Sequence, residues 1–132
     1  MKILIADSLA DGWQDVLTDD DIHFDAKSSL SPEELLTIIG NYEGLIVRSA
    51  TQVTREVIQA GKALRAIGRA GAGIDNIDIE AATERGIIVL NAPGGNTIST
   101  AEHTVAMLLA LARNIPQATA SIRSGKWDRK SY

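Results

Sequence analysis

Five short apolar runs alternate with segments that carry helix start and stop residues, and this alternation restricts the fold more than any other feature. The runs occupy residues 3–6, 22–26, 45–47, 64–67 and 87–90. They are rich in β-branched residues and mostly continuous, which is typical of strands buried on both faces of a parallel sheet. The second run alternates apolar and polar residues and predicts an edge strand. Short strand–helix connections predict right-handed βαβ units, and five strands favour a flavodoxin-like parallel sheet in the order 2-1-3-4-5.

Three helices between these runs are bounded by polar residues at their starts and glycines after their ends. The start and stop pairs are Ser31 with Gly40, Thr54 with Gly61, and Asp78 with Gly86. The first start is a capping box, because Pro32 follows Ser31 and Glu34 lies three residues on. The apolar residues predicted to face inward are Leu35, Leu36, Ile38, Ile39, Val57, Ile58, Ala81 and Ala82.

The last third of the chain has a different pattern. Ser99 and Glu102 suggest a second capping box, and residues 105–112 form an unbroken apolar run that Pro116 is predicted to end. A further short helix is predicted over residues 117–123. A helix that is apolar on every side must be covered on every side, and the sheet domain can cover only one. We therefore predict one domain over residues 1–98, with residues 99–132 packing on another domain or subunit.

Residues 66–78 form a glycine-rich segment with glycines at positions 68, 71 and 73 and a cation, Arg69, among them. Glycines allow close approach of the backbone to a ligand, and their amides together with a guanidinium suit an oxyanion. A dinucleotide fingerprint is incomplete here, since Asn76 occupies the third glycine position. The alternative is a tight strand-to-helix turn that binds nothing.

Ligands of open α/β sheets bind at the carboxyl ends of the strands, so the residues that follow each run are site candidates. Asp7 and Ser8 follow the first run, Arg48 and Ser49 the third, and residues 69–73 the fourth. Either arginine alone could be solvated or paired with an aspartate. Their convergence predicts a small acid as ligand, and two guanidinium groups suit a phosphorylated one.

The glycine-rich segment also carries a family resemblance. Residues 68–78, G-R-A-G-A-G-I-D-N-I-D, resemble the signature loop of D-2-hydroxyacid dehydrogenases, in particular those that act on 3-phosphoglycerate. Four more segments agree with the family in order, at residues 2–8, 44–54, 91–102 and 112–129. The resemblance covers essentially the whole chain. It implies that the family's Rossmann cofactor domain should begin where this sequence stops, and that a crossover helix leads into it.

The resemblance also implies roles for individual residues. Arg48, Ser49 and Arg69 would line the substrate pocket, and the amides of Ala72 and Gly73 would hold the substrate carboxylate. Ala72 would also lie near the nicotinamide of NAD, although many relatives carry threonine or valine there. Thr100 would lie on the cofactor side of the cleft. No catalytic residue is expected within the chain, because the family's catalytic histidine, its acidic partner and its arginine lie further downstream.

For the whole protein, the resemblance implies oxidation of 3-phosphoglycerate to 3-phosphohydroxypyruvate by NAD in serine synthesis, with a homodimer or larger assembly formed through the helix at residues 99–115. Related specificities, such as glyoxylate or lactate, remain open. A stand-alone flavodoxin-like binding or signalling module is the alternative from another class. A receiver domain would need an aspartate after the third strand, where Arg48 stands.

Composition excludes several classes of function. A net charge of −4 and a pI near 5.1 argue against a nucleic-acid or anionic-membrane surface. The chain has no cysteine and no paired histidines, so we expect no disulfide and no metal site. The apolar N-terminal segment is too short for a signal peptide or a membrane span, which favours a cytoplasmic protein. We expect His23 and the acidic run at residues 19–21 to be solvated, and His103 to be structural.

Overall fold

The computed structural model describes residues 1–16, 18 and 21–132, and its central feature is a five-stranded sheet. The strands are β1 (Lys2–Ile5), β2 (His23–Ala26), β3 (Gly44–Val47), β4 (Ala66–Arg69) and β5 (Ile88–Asn91). All four pairings are parallel and the order is β2-β1-β3-β4-β5. The predicted flavodoxin-like sheet, with the second strand at an edge, is therefore confirmed.

Within the described residues, six helices accompany the strands. They are α1 (Trp13–Val16), α2 (Pro32–Ile38), α3 (Arg55–Ala60), α4 (Ile79–Glu84), α5 (Thr97–Ala112) and α6 (Ile115–Arg123). A 3-10 turn, Ile39–Asn41, follows α2, so the chain keeps turning through Gly40 where a stop was predicted. Helix α1 was not predicted, because four residues carry too little periodicity to stand out. The chain divides into two compact units, Met1–Gly95 and Asn96–Tyr132.

The caps at the starts of α2 and α4 form as the sequence indicates. Ser31 Oγ accepts a hydrogen bond from the Glu34 amide at 3.2 Å, and the Glu34 carboxylate accepts one from the Ser31 amide at 2.8 Å. Asp78 Oδ1 accepts from the Ala81 amide at 2.8 Å. Thr54 precedes α3 without a capping bond from its side chain. Gly86 follows α4 with φ of +66°, a conformation that glycine adopts at little cost.

The core lies between the sheet and helices α2, α3 and α4. Leu4, Leu45 and Ile67, from the three central strands, are each at most 1% exposed. Most of the predicted inward-facing residues join them or lie against them. Leu36 is the exception and is 37% exposed. It follows the buried Leu35 directly, and adjacent helical residues point about 100° apart, so both cannot face the core.

Two strands differ from their predicted form. β4 begins two residues late, because the Leu64 amide donates to the Gly61 carbonyl at 2.9 Å and closes a turn after α3. Arg69 therefore ends the strand. β5 is not buried on both faces, since Ile88 and Leu90 are 62% and 58% exposed. Successive strand residues face opposite ways, so Val89 packs on the core while its two neighbours point from the other face.

The second unit contains α5 and α6. The Ser99 capping box is wrong, because α5 begins at Thr97 and Ser99 Oγ instead donates to the Asn96 carbonyl at 3.1 Å. Pro116 lies in the first turn of α6, and a left-handed Asn114 (φ 49°) separates the helices. We expected one covered face on α5, yet none of its side chains is buried.

No helix within the described ranges is both long enough and apolar enough to cross a membrane. Of the acidic run, Asp19 and Asp20 lie outside the described residues, so its prediction as a solvated turn is not addressed.

Candidate functional site

The carboxyl ends of four strands meet at one rim of the sheet unit. Asp7 follows β1 and Arg48 follows β3, while Arg69 and Asn91 end β4 and β5 in direct register. The loops beyond them touch. Arg69 Nε donates to the Arg48 carbonyl at 3.3 Å. We call residues 69–78, at and after the end of β4, the glycine loop. On its other side, the Ala92 amide donates to the Gly71 carbonyl at 3.0 Å.

Asp7 holds the loop after β3 in place. Its carboxylate is 8% exposed and accepts hydrogen bonds from the Arg48 amide at 2.6 Å, the Thr51 amide at 3.2 Å and the Thr51 hydroxyl at 2.7 Å. Burial acts to raise the pKa of Asp7, but these hydrogen bonds outweigh it and the pKa is lowered from its ordinary value. The charge of this carboxylate is thus used to fix the backbone that carries Arg48.

Asn76 joins this loop to the glycine loop. Its side-chain amide donates to the Arg48 carbonyl at 2.7 Å and to the Thr51 carbonyl at 2.6 Å, and the residue is 4% exposed. Backbone bonds between Val53 and the segment from Asn76 to Asp78 add a second connection. Asn76 Oδ1 is buried without a hydrogen-bond partner among the residues described. Residues 48–53 and 70–78 are therefore cross-linked by a buried amide.

Arg69 is paired with an aspartate, which is one of the alternatives left open by the sequence. Its Nη1 lies 2.9 Å from Asp75 Oδ1, and the exposed fractions of the two side chains are 10% and 84%. Gly73 lies against this pair. A Cβ at that position would stand 2.6 Å from Arg69 Nη1 and 2.7 Å from Asp75 Oδ1. Both atoms end flexible side chains, so a larger residue here would have to displace the Arg69 guanidinium or the Asp75 carboxylate.

Arg48 is exposed and more weakly held. Its Nη1 donates to the Ser8 carbonyl at 3.2 Å, and it forms no ion pair within the described parts of the chain. Arg48 and Ser49 line a cavity of about 700 Å³ at the carboxyl ends of β1 and β3. This is the switch point of the sheet, where strand order reverses. Its remaining wall is formed largely by serines from the loop before α2 and by apolar side chains of α2 and α3.

The glycine loop has donors to spare. The Ala72 carbonyl accepts a hydrogen bond from Asn91 Nδ2 at 2.7 Å, which fixes the loop against the end of β5. The amides of Ala72 and Gly73 donate to no group in the described chain, and both residues are exposed. Two neighbouring free amides beside a guanidinium can bind a carboxylate or phosphate oxygen.

The predicted site residues therefore fall into three places. Arg48 and Ser49 line the switch-point cavity, Arg69, Ala72 and Gly73 belong to the glycine loop, and Thr100 lies exposed on α5 in the second unit. Backbone and side-chain contacts bring the first two groups together. The roles of Thr51 and Asp75 were not predicted, although a hydroxyl three residues after Arg48 and an acid six residues after Arg69 were visible signals.

The two histidines belong to other elements, His23 to the edge strand of the sheet and His103 to the second unit. His23 is on the edge strand β2, with Nε2 at 3.3 Å from Asp25 Oδ1, and its side chain is 71% exposed. His103 is exposed on α5. Among the residues that the structure describes, no three histidine, aspartate or glutamate side chains come together as a metal site would require.

Comparison with known proteins identifies the family. The model of the D-isomer specific 2-hydroxyacid dehydrogenase catalytic domain matches residues 3–126. The chain belongs to the D-isomer specific 2-hydroxyacid dehydrogenase family. Family members similar to it include the D-3-phosphoglycerate dehydrogenase of Archaeoglobus fulgidus, 53% identical over 132 residues, which are 100% of this chain and 25% of the relative. The human D-3-phosphoglycerate dehydrogenase is 52% identical over 131 residues, or 99% of this chain and 25% of that protein. The chain thus spans about a quarter of the length of these relatives.

Solved structures share the fold of this chain. A Thermus thermophilus protein is 33% identical, with a TM-score of 0.83 over 98% of this chain and 43% of that one. The NAD⁺-bound 3-phosphoglycerate dehydrogenase of Entamoeba histolytica is also 33% identical, with a TM-score of 0.74 over 83% of this chain and 38% of that one. The rim of this family member thus presents two guanidinium groups and two neighbouring amides, which are groups that can bind an oxyanion.

Proposed function

We propose that this chain is the substrate-binding domain of an NAD-dependent D-3-phosphoglycerate dehydrogenase, which oxidises 3-phospho-D-glycerate to 3-phosphohydroxypyruvate in L-serine synthesis. The observation that carries the proposal is the pair of free amides at Ala72 and Gly73, flanked by guanidinium groups from two neighbouring strand ends. A substrate with a carboxylate at one end and a phosphate at the other needs such a set of donors. The names of the relatives support the same substrate.

In this proposal each group has a distinct task. The amides of Ala72 and Gly73 bind the carboxylate next to the reacting carbon, and Arg48, Ser49 and Arg69 bind the distal phosphate. Arg69 is nearly buried, and charged hydrogen bonds are stronger where water is excluded. The chain's part in the reaction is to orient the substrate, since no acid or base for the hydroxyl proton is assigned to it.

NAD, when bound, accepts the hydride from the substrate's hydroxyl-bearing carbon. Ala72 and Thr100 are exposed, and the Ala72 amide is uncommitted among the described residues, so both are open to a ligand. We assign them to the nicotinamide side of the cleft. Ala72 can provide van der Waals contact, since its amide is assigned to the carboxylate, and Thr100 can provide a hydroxyl.

Steady-state kinetics of Arg48→Ala and Arg69→Ala in the full-length enzyme test the substrate. Each change should raise KM for 3-phosphoglycerate about tenfold to hundredfold, because a charge-assisted hydrogen bond is worth about 1.5–3 kcal/mol. The effect should fall on KM rather than kcat, since these side chains hold the part of the substrate that does not react. A non-phosphorylated 2-hydroxy acid should be much less affected.

Arg65→Ala is the matched control. Arg65 is an exposed arginine directly before β4, at the opposite end of the strand from Arg69. Arg65→Ala should leave the KM for both substrates unchanged. Equal losses on both substrates in the Arg48 and Arg69 variants would mean that these arginines serve the carboxylate or the fold, and the phosphoglycerate assignment would fail.

We further propose that the full-length enzyme forms a dimer through the helix at residues 99–115. Support comes from α5, where Val105, Leu108 and Leu111 are 54%, 64% and 73% exposed in this chain. Contiguous apolar surface of this kind is normally covered. In light scattering, Leu111→Glu should halve the mass of the full-length protein, whereas Trp127→Glu, at a side chain that is 74% exposed outside the segment, should not. An unchanged mass for Leu111→Glu would contradict the proposed interface.

A further inference from the structure

The guanidinium of Arg69 donates to two acceptors, the Arg48 carbonyl and the Asp75 carboxylate, and still has unused N–H donors. Its Nη1 donates to Asp75 Oδ1 at 2.9 Å and its Nε to the Arg48 carbonyl at 3.3 Å. An arginine has five N–H donors, and Nη2 has no hydrogen-bond partner among the residues described here. This side chain is only 10% exposed, and its unused N–H groups can still donate hydrogen bonds to an oxyanion.

The two acceptors of Arg69 differ, because one is a backbone carbonyl and the other is an exposed carboxylate. The Arg48 carbonyl also accepts the buried Asn76 amide at 2.7 Å, so it belongs to the cross-linked frame of the two loops. Asp75 is 84% exposed and contributes a charge from the solvent side. An ion pair with one exposed partner is weakened, because water screens the exposed carboxylate and its mobile side chain must be held still. Burial and the carbonyl therefore keep Arg69 oriented, while Asp75 can leave at small cost.

Gly73 makes the contact with Asp75 possible. Any Cβ at this position would lie 2.7 Å from the Asp75 carboxylate and 2.6 Å from the guanidinium, so a side chain here would separate the pair. Because Asp75 already accepts from Nη1, an anion bound to the unused donors of the same guanidinium would lie close to its carboxylate. Two negatively charged groups bound to one guanidinium repel each other, so each weakens the binding of the other.

We propose that Asp75 is an intramolecular competitor for the anion that binds Arg69. It occupies the guanidinium when the site is empty and yields it to a phosphate, whose larger charge and additional oxygens bind the guanidinium more strongly. This inference rests on the proposed function, because it takes Arg69 as a phosphate ligand. It adds that the affinity for phosphate is set by a residue that does not touch the substrate.

Direct binding of inorganic phosphate to the full-length protein tests the inference without turnover. Titrations at constant ionic strength, followed by the ¹⁵N–¹H signal of the Arg69 Nε–H, give a Kd for wild type and for Asp75→Asn. Removing a competing exposed ion pair should lower that Kd about twofold to fivefold. The gain should disappear when Arg69→Lys is combined with Asp75→Asn, since lysine keeps the charge but loses the planar fork. Calorimetry gives the Kd for that double variant.

Glu84→Gln is the matched control for a general effect of charge. Glu84 pairs with Arg55 at 2.6 Å and its side chain is 56% exposed, so the variant removes one carboxylate from a comparable surface pair. Its Kd for phosphate should equal that of wild type. The inference is overturned if Glu84→Gln shows the same gain. It is also overturned if Asp75→Asn binds phosphate no more tightly than wild type. Failure of 3-phosphoglycerate turnover with the phosphate gain intact would instead remove the proposed substrate and leave the role of Asp75 standing.

Discussion

At the scale of single residues, Asp7 connects the charge state of the protein to its stability. The carboxylate accepts three hydrogen bonds, and its pKa is lowered in the folded chain. A lowered pKa means that the stabilisation is fully present above the unfolded value near 3.8 and is lost as the pH falls through the folded value. Below that range the loop after β3 loses its anchor.

We expect Asp7→Asn to lower the free energy of unfolding by about 1.5–3 kcal/mol at neutral pH, because charge-assisted hydrogen bonds are lost and an amide donor faces amide donors. The difference from wild type should shrink only as the pH falls from the unfolded value near 3.8 through the lower folded pKa, where the wild-type carboxylate itself becomes protonated. Urea denaturation as a function of pH measures both effects. Asp11→Asn, at an exposed carboxylate in the same loop region, should show neither. A constant gap at every pH would rule out the charge of Asp7 as the cause.

Gly73 and Gly71 provide a second comparison at this scale. A Cβ at position 73 would overlap Arg69 and Asp75, whereas at position 71 the nearest atom would be Arg69 Nε at 3.9 Å, an ordinary contact. Gly73→Ala should therefore raise KM for 3-phosphoglycerate about tenfold by displacing Arg69, at the loss of roughly one charged hydrogen bond. Gly71→Ala should change it little. Similar kinetics for the two variants would show that the close approach at Gly73 is not needed.

At the scale of elements, the start of α2 depends on a reciprocal cap. Both hydrogen bonds of the Ser31–Glu34 box are present. Ser31→Ala should cost about 1 kcal/mol, as for other capping serines, which corresponds to a fall in Tm of about 4–8 °C for a domain of 60–100 residues. Ser28→Ala, at an exposed serine three residues earlier, should leave the Tm unchanged. Calorimetric melting of both variants checks this, and equal Tm values for Ser31→Ala and wild type would contradict the capping role.

The elements also show what the sequence could predict. The strand order follows from short connections and chain handedness, which are local constraints. The exposure of Ile88 and Leu90 could not be predicted, because it depends on what lies against the free face of an edge strand. The start of β4 was misplaced because Leu64 is buried in a turn, and an apolar run does not distinguish a buried turn from a strand.

At the scale of the whole molecule, we expect the 132-residue chain alone not to bind NAD at micromolar concentration. Its one G-x-G element has Asn76 where the fingerprint needs a third glycine, so the pyrophosphate cradle is incomplete. Calorimetric titration of the chain with NAD should give no heat beyond dilution, while the full-length protein under the same conditions should bind. A micromolar Kd for the chain would place the cofactor site within these residues.

Part of the site was predictable from the direction of the strands. Parallel strands point the same way, so residues after Ile5, Val47 and Arg69 must share a rim. Which donors stay free could not be predicted, because it depends on side-chain partners distant in sequence. Asp7 takes the Arg48 amide across 41 residues, and that pairing leaves no pattern in the chain, whereas Asp75 takes the Arg69 guanidinium from only six residues away.

The buried Asn76 amide has a consequence for anyone who would redesign this rim. It ties the Arg48 and Thr51 carbonyls to the glycine loop, and Val53 repeats the tie through the backbone. A graft of residues 48–53 from a relative with another substrate would bring a backbone fitted to a different partner loop. The two segments, residues 48–53 and 70–78, thus depend on each other for their conformation. Substrate preference should transfer between family members only when both segments are exchanged together.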